Sequence, residues 1–326
     1  MINTNTILIA VDAGKDTTKY VYKNELGILQ KESFRTKVQE ADNFGAEVQG
    51  KTFKVELENK NYIIGDMVSE SKLNYNLSKT SIEHKLCVYV AIAKVVLETG
   101  INKVKLAVGI PANIYKNEQL KNEYKQYIYG NGQVSINLNN HIVEFEIKDI
   151  CILPEAISLI YNDLNEYRKS RTTVIDIGGL NATICRINNL VPNLDEILVC
   201  NKGANILKNK VAEALSVRYG VATIYKDDVD SILEDGVLYI KGKPQEESRR
   251  IIKELMKCHI SDIVNFAKQN EMDVFSTNGK VVFSGGGSLL MKEIINSAYS
   301  YCKIVTDSQF ANVLGFYKIL SIKNEN

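Results

Sequence analysis

Three short glycine-bearing turns, each entered from an apolar β-type run, constrain this chain more than anything else in it. The first, Asp12-Ala13-Gly14-Lys15-Asp16-Thr17-Thr18-Lys19, follows Ile7-Leu8-Ile9-Ala10-Val11. The second, Asp176-Ile177-Gly178-Gly179-Leu180-Asn181, follows Thr172-Thr173-Val174-Ile175, and the third, Gly285-Gly286-Gly287-Ser288, follows Val281-Val282-Phe283-Ser284. Glycine lets such a turn take positive φ or bring its backbone close to a ligand. The first two turns run on into Lys19–Tyr22 and Ala182–Cys185, so each reads as a hairpin with an Asp at the end of its first strand. Two Asp-bearing hairpins can grip a polyphosphate and its metal from opposite sides. A single turn of this kind is commonly an ordinary hairpin. Three in order, with the two Asp residues about half a chain apart, point to two related halves and a ligand site between them.

Other nucleotide signatures are missing. No phosphate loop ends in Gly-Lys-Ser/Thr, and no dinucleotide fingerprint opens a helix. Phosphate would instead be held by hairpin amides, as in nest-type anion binding. At 326 residues the chain exceeds what one growing core accommodates, so two domains are expected. Lys plus Arg number 40 against 39 for Asp plus Glu, which argues against direct DNA binding. Cys87, Cys151, Cys185, Cys200, Cys258 and Cys302 show no metal-ligand spacing, and His84, His141 and His259 add none. Free cysteines, no signal peptide and no apolar span of about 18 residues point to a reducing cytoplasm away from membranes, and only four prolines with many Asn, Lys and Ile residues give the composition an AT-rich bacterial look.

Along the chain, residues 1 to about 75 read as strands and hairpins, including Thr52–Leu57 and Tyr62–Gly65. A long helix follows, with Thr80 as N-cap, Glu83 three residues on, an apolar face of Leu86, Val90, Ala93 and Leu97, and Gly100 as its stop. The strand Val104–Val108, a polar stretch and the strand His141–Ile147 come next, and Pro154-Glu155 opens a helix with Ala156, Leu159, Ile160 and Leu164 on its apolar face. The second half repeats the theme from Thr172, with helices at about 204–217, 246–270 and 288–300. Lys241–Arg250 reads as a solvated loop and helix start, and Ala311–Ile319 as a terminal helix.

The order Asp12-x-Gly14, Pro154-Glu155-Ala156, Asp176-x-Gly178-Gly179 and Gly285-Gly286-Gly287 resembles the actin, Hsp70 and sugar kinase ATPase superfamily, and within it the plasmid-segregating ParM actins. Val104–Pro111, Lys202-Gly203-Ala204-Asn205 and Gln309–Tyr317 extend the likeness over nearly the full chain. The resemblance implies an α/β, actin-like (ribonuclease H-like) fold, with two related domains around a nucleotide cleft. Domain I would span 1–170, with the helix 308–326 returning to it, and domain II 171–307.

It also implies roles for residues. Asp12 and Asp176 would face each other and hold Mg²⁺ through its waters. The amides of Gly14, Lys15, Asp16 and Thr17, and of Gly178, Gly179 and Asn181, would cradle phosphate oxygens of ATP or GTP. Lys19 matches the family's phosphate-proximal lysine, with a strand-face surface lysine as the alternative. Lys15 stands where Ser is common, and is either a second cation at the phosphates or a side chain pointing outward. Glu155 would orient or activate the attacking water, against the alternative of a helix-start carboxylate serving the dipole. Gly285, Gly286 and Gly287 would pass under the adenine and α-phosphate, with Gly203 lining the same side. Leu180 and Thr183 depart from the Thr and Asp of the ParM pattern, which leaves base selectivity open.

The resulting expectation is a filament-forming, Mg²⁺-dependent ATPase. It would move plasmid DNA through an adaptor protein bound to a centromere-like site, partnering itself and the adaptor rather than DNA or membrane. The alternatives are a small-molecule kinase, for which no acceptor site stands out, and a non-polymerising nucleotide switch, for which no appended peptide-binding domain is found.

Overall fold

The structure is a computed structural model, and it describes residues 6–41, 45, 47–72, 79–221, 224, 226–275 and 279–325. The outermost residues of the expected domains, 1–5 and 326, lie outside that set. The chain divides into two compact units, one made of the chain to Asp163 together with Asn312–Asn326, the other of Leu164–Ala311.

In the first unit, nine strands form one sheet among the described residues: β1 (Ile7–Ala13), β2 (Thr17–Lys23), β3 (Leu29–Arg35), β4 (Val38–Glu40), β5 (Thr52–Leu57), β6 (Lys60–Gly65), β7 (Lys103–Ile110), β8 (Gln133–Leu138) and β9 (His141–Pro154). Their order is β3-β2-β1-β7-β9-β8-β5-β6-β4. β1, β7 and β9 are parallel neighbours, while β2 and β3 return as an antiparallel meander on β1. The run Ile9-Ala10-Val11 is buried on both faces, as suits a strand inside a covered parallel sheet.

Helix α1 (Ile82–Thr99) comes after β6 and precedes β7, which is followed by α2 (Ala112–Tyr115) and α3 (Glu118–Tyr129). The N-cap of α1 is Ser81, not Thr80: the Ser81 hydroxyl accepts the amide of His84, and Glu83 lies in the first turn. Gly100 does end the helix, in the left-handed conformation with φ 67°.

The second unit holds α4 (Leu164–Tyr167), β10 (Arg171–Ile177), β11 (Ala182–Asn188), β12 (Val191–Cys200), α5 (Ala204–Tyr219), α6 (Lys226–Asp235), β13 (Leu238–Ile240), β14 (Lys243–Gln245), α7 (Glu246–Gln269), β15 (Lys280–Ser284), α8 (Gly286–Leu290), α9 (Lys292–Ala298) and β16 (Lys303–Ile304). Its main sheet runs β12-β11-β10-β15-β16, with β10, β15 and β16 parallel. The strand order β3-β2-β1-β7-β9 of the first unit recurs here strand for strand, so the two halves share one topology. Lys241–Arg250 is less of a loop than its charge implies, because Lys241 and Gly242 turn β13 into β14 before α7 begins. The terminal helix α10 (Ala311–Asn324) belongs, apart from its first residue, to the first unit.

Pro154-Glu155 does not open a helix. Pro154 is the last residue of β9, paired with Ile110, and the Glu155 amide extends that ladder by donating to the Ile110 carbonyl at 2.9 Å. Ala156 then takes φ 63°, and a 3-10 turn, Ser158–Asp163, follows before a short helix begins at Leu164. Proline at the end of a strand needs no amide there, which a sequence reading takes equally well as a helix start.

Candidate functional site

In open α/β sheets, ligands collect at the carboxyl ends of parallel strands. In the first unit those ends belong to β1, β7 and β9, and they carry Asp12, Ile110 and Glu155 respectively. Asp12 is almost wholly buried and lies opposite Lys19 in the β1–β2 ladder, with 3.7 Å between Lys19 Nζ and Asp12 Oδ2. Lys19 is therefore paired with the Asp12 carboxylate instead of standing alone on the strand face.

The turn between them is tight. The Gly14 amide donates back to the Asp12 carbonyl at 3.0 Å, so that amide is used within the turn. The Asp16 carboxylate is engaged too, accepting from the Thr17 hydroxyl at 2.8 Å and sitting 3.2 Å from Arg35 Nη2. Burial lowers the Lys15 ammonium to about 8, with repulsion from Lys79 in the same direction and Glu83 and Glu155 opposing.

Lys79 was not found from the sequence. It precedes α1, is buried, donates to the Ala13 carbonyl at 2.9 Å, and places Nζ 3.1 Å from Glu155 Oε1. This lysine thereby brings the first turn and Glu155 to one place. No period or spacing marks it, because it is fixed by where two distant strands end. Burial holds the Glu155 carboxyl above its ordinary range; Lys79 pulls it down, Asp12 pushes it further up, and Lys19 pulls down more weakly.

Behind the first turn, His84 Nε2 and the Tyr124 hydroxyl are 2.7 Å apart, both buried. Burial keeps this histidine neutral, well below its usual range. The Glu155–Ser158 segment is also gripped by α10: Asn312 Oδ1 accepts the Ala156 amide at 2.8 Å.

The second unit assembles the remaining turns. Asp176 lies opposite Thr183 on β11 and beside Ser284 on β15. The Gly178 amide closes the hairpin by donating to the Asn181 carbonyl at 2.9 Å, whereas the amides of Gly179, Leu180 and Asn181 have no acceptor among the described residues. Asn181 Oδ1 and Ser284 Oγ are buried and also lack a partner among the described residues. The start of α5 docks on this hairpin, with Gly203, Ala204 and Asn205 donating to the carbonyls of Leu180, Gly178 and Gly179 at 2.9–3.0 Å. A Cβ on Gly203 would come within 2.4 Å of the Gly179 carbonyl oxygen, so only glycine fits there.

The third turn is packed against the same strand end. Gly285 has φ 86°, and a Cβ there would lie 2.3 Å from the Ile177 carbonyl oxygen and 2.8 Å from Asp176 Oδ1. A Cβ on Gly287 would strike the Ile177 side chain, while Gly286 faces open space. Asp176, Gly178, Gly179, Asn181, Gly203 and Gly285–Gly287 thus form one cluster. Its amides and buried polar atoms suit an anionic ligand.

A repeated five-strand motif, with an Asp-bearing hairpin at the carboxyl edge of each copy, defines the fold of actin-like ATPases. Residues 10–157 match the family model described as the N-terminal domain of actin-like proteins. Among solved structures, the Alp12 filament structure is 28% identical, covers 98% of this chain and 100% of its own, and superposes with a TM-score of 0.73. A 15-stranded ParM filament from Clostridium botulinum is 17% identical over 98% of this chain and 100% of its own, with a TM-score of 0.76. An archaeal actin homologue in complex with ADP is 16% identical over 97% of this chain and 99% of its own, with a TM-score of 0.74. The last two share the fold with this chain. No curated protein matches the chain by sequence.

Proposed function

We propose that this chain is a nucleotide-hydrolysing, filament-forming actin-like protein that moves plasmid DNA through an adaptor. The observation that carries the hydrolytic reading is the cluster at the ends of β1, β7 and β9. Asp12 and Glu155 are held there with Lys19 and Lys79 in paired geometry. Unpaired hairpin amides at Gly179–Asn181 supply anion donors in the second unit. Both hairpins would serve the phosphates of one ATP or GTP, with Gly285–Gly287 beneath the nucleoside side.

Mg²⁺, held through its waters, would be met by the carboxylates of Asp12 and Asp176. The ion, when bound, neutralises charge on the β- and γ-phosphates. Glu155 would accept a proton from a water whose oxygen bonds to the γ-phosphorus. As that bond forms, the bond to the bridging oxygen breaks and its electron pair stays with the diphosphate. Self-assembly is supported by the Alp12 filament, which resembles this chain over its full length. The near-balanced charge supports a DNA-binding adaptor over direct contact with DNA. In this reading the protein works in the bacterial cytoplasm.

Pelleting and light scattering of the purified chain with ATP and Mg²⁺, beside phosphate release, test the proposal. Wild type should assemble and release phosphate; Asp176→Ala should lose hydrolysis, and Asp12→Ala should also bind nucleotide more weakly. Hydrolysis unchanged from wild type in both folded variants removes the paired-hairpin assignment. A wild type that hydrolyses and never assembles removes the filament.

A further inference from the structure

Only 5% of the Lys79 side chain is exposed, although it lies outside all three turns. A buried ammonium is tolerated when it is paired and hydrogen-bonded. Lys79 meets both conditions at two separate elements: the Ala13 carbonyl in the first turn, at 2.9 Å, and Glu155 Oε1 at the end of β9, at 3.1 Å. Glu155 Oε1 is closed to solvent, yet 21% of the Glu155 side chain remains exposed, so its accessible surface lies on other atoms.

We infer that Lys79 is a positioning residue for hydrolysis, fixing Glu155 Oε1 against the first hairpin so that Oε2 is presented to the attacking water. This rests on the nucleotide-hydrolysis reading given above. A purely structural ion pair would stabilise the fold without setting the protonation of Glu155 on which turnover depends.

The surroundings separate the two roles. The charged groups acting on Glu155 are Lys79 from the segment before α1, Asp12 from β1 and Lys19 from β2. Lys15 of the first turn and Tyr124 of α3 also feel Glu155. On α1, Glu83 acts on Lys15, and the neutral His84 feels both Lys79 and Lys15. Burial and Asp12 favour the protonated carboxyl, and Lys79 is the largest opposing influence. Without Lys79, Glu155 keeps its proton to higher pH, and over that added range it cannot take one from water.

The experiment measures ATP hydrolysis by the full chain with Mg²⁺ from pH 5.5 to 9, beside ADP affinity by fluorescence titration, for wild type, Lys79→Met and Lys79→Arg. Lys79→Met should lose roughly 10²-fold in hydrolysis at pH 7 while ADP affinity changes by less than about threefold. The acid limb of its residual rate should move to higher pH, and Lys79→Arg should recover part of the rate with the limb in place. Wild-type turnover in Lys79→Met, or a slowed variant with an unmoved limb, overturns the inference. If Lys79→Met fails to melt cooperatively, Lys79→Arg decides: a displaced acid limb in that charged variant overturns it too. A wild type that neither binds nor hydrolyses nucleotide refutes the hydrolytic reading itself, and the inference with it. Wild-type hydrolysis beside an unaffected Lys79→Met refutes the inference alone.

Discussion

Gly315→Ala sets two physical effects against each other within α10. In an exposed helix this change is favourable, because glycine is worth about 1 kcal/mol less than alanine. Here the new Cβ would sit 2.1 Å from the Ser158 carbonyl oxygen, 2.6 Å from its carbon and 3.0 Å from the Leu159 nitrogen. All three are backbone atoms, so no side chain can swing aside. Reaching even 3.0 Å from that oxygen means α10 or the 154–159 segment must give way by most of an ångström.

A displacement of that size takes the 2.8 Å bond between the Ala156 amide and Asn312 Oδ1 out of hydrogen-bonding range. Overpacking costs about 1–3 kcal/mol, and stranding the buried Ala156 amide about 1–3 more. After the propensity gain is deducted, Gly315→Ala should destabilise by about 1–5 kcal/mol. Urea unfolding followed by circular dichroism, read over the transition of the first unit, measures it. Because the same segment carries Glu155, hydrolysis should fall more than ADP affinity. Asn312→Ala alone should cost about 1–3 kcal/mol, and the double variant less than the sum, since both act through one contact. A Gly315→Ala chain that is as stable as wild type, or more so, refutes the packing argument.

Two further outcomes follow from the site. Glu155→Ala should bind ATP and assemble but disassemble far more slowly than wild type, with turnover down roughly 10²–10⁴-fold; normal disassembly by light scattering would return Glu155 to a structural role. Lys15, lowered to about 8 by burial, should lose its proton as pH rises through that value. Nucleotide affinity should therefore weaken between about pH 7 and 9. The apo fold should gain stability from about pH 8 to 10.5, where the unfolded chain still holds the proton that the folded chain has released. Lys15→Met should flatten both profiles in titration and melting series.

Much of this was legible in the chain because it is local. The hairpins at Asp12 and Asp176, the strand ending at Ser284 and the stop at Gly100 are each written in a few consecutive residues. Elements with thin apolar signals were harder. Helix α3 buries only Tyr124 and Ile128, one turn apart in a charged segment, and it reads as a polar stretch. The strands β13 and β14 have three residues each, too short for a visible alternation. In α1, Leu97 continues the apolar period yet faces outward, because burial on nearly all sides ends at Val96. At the site, Lys79 and the Asn312 contact were invisible because each joins positions far apart in sequence. The Pro154 misreading has the opposite cause, since one local signal fits two structures.

The two phosphate-type turns look alike as sequence but differ in how a pull on them would travel. The first is tethered partly by long side chains, Lys79 to the Ala13 carbonyl and Arg35 to Asp16, whose rotatable bonds absorb small displacements. The second is welded to α5 by three main-chain bonds with no intervening hinge. A ligand that tugs the Gly178–Asn181 tip therefore pulls directly on the start of a 16-residue helix, with main chain rather than side chain carrying the load.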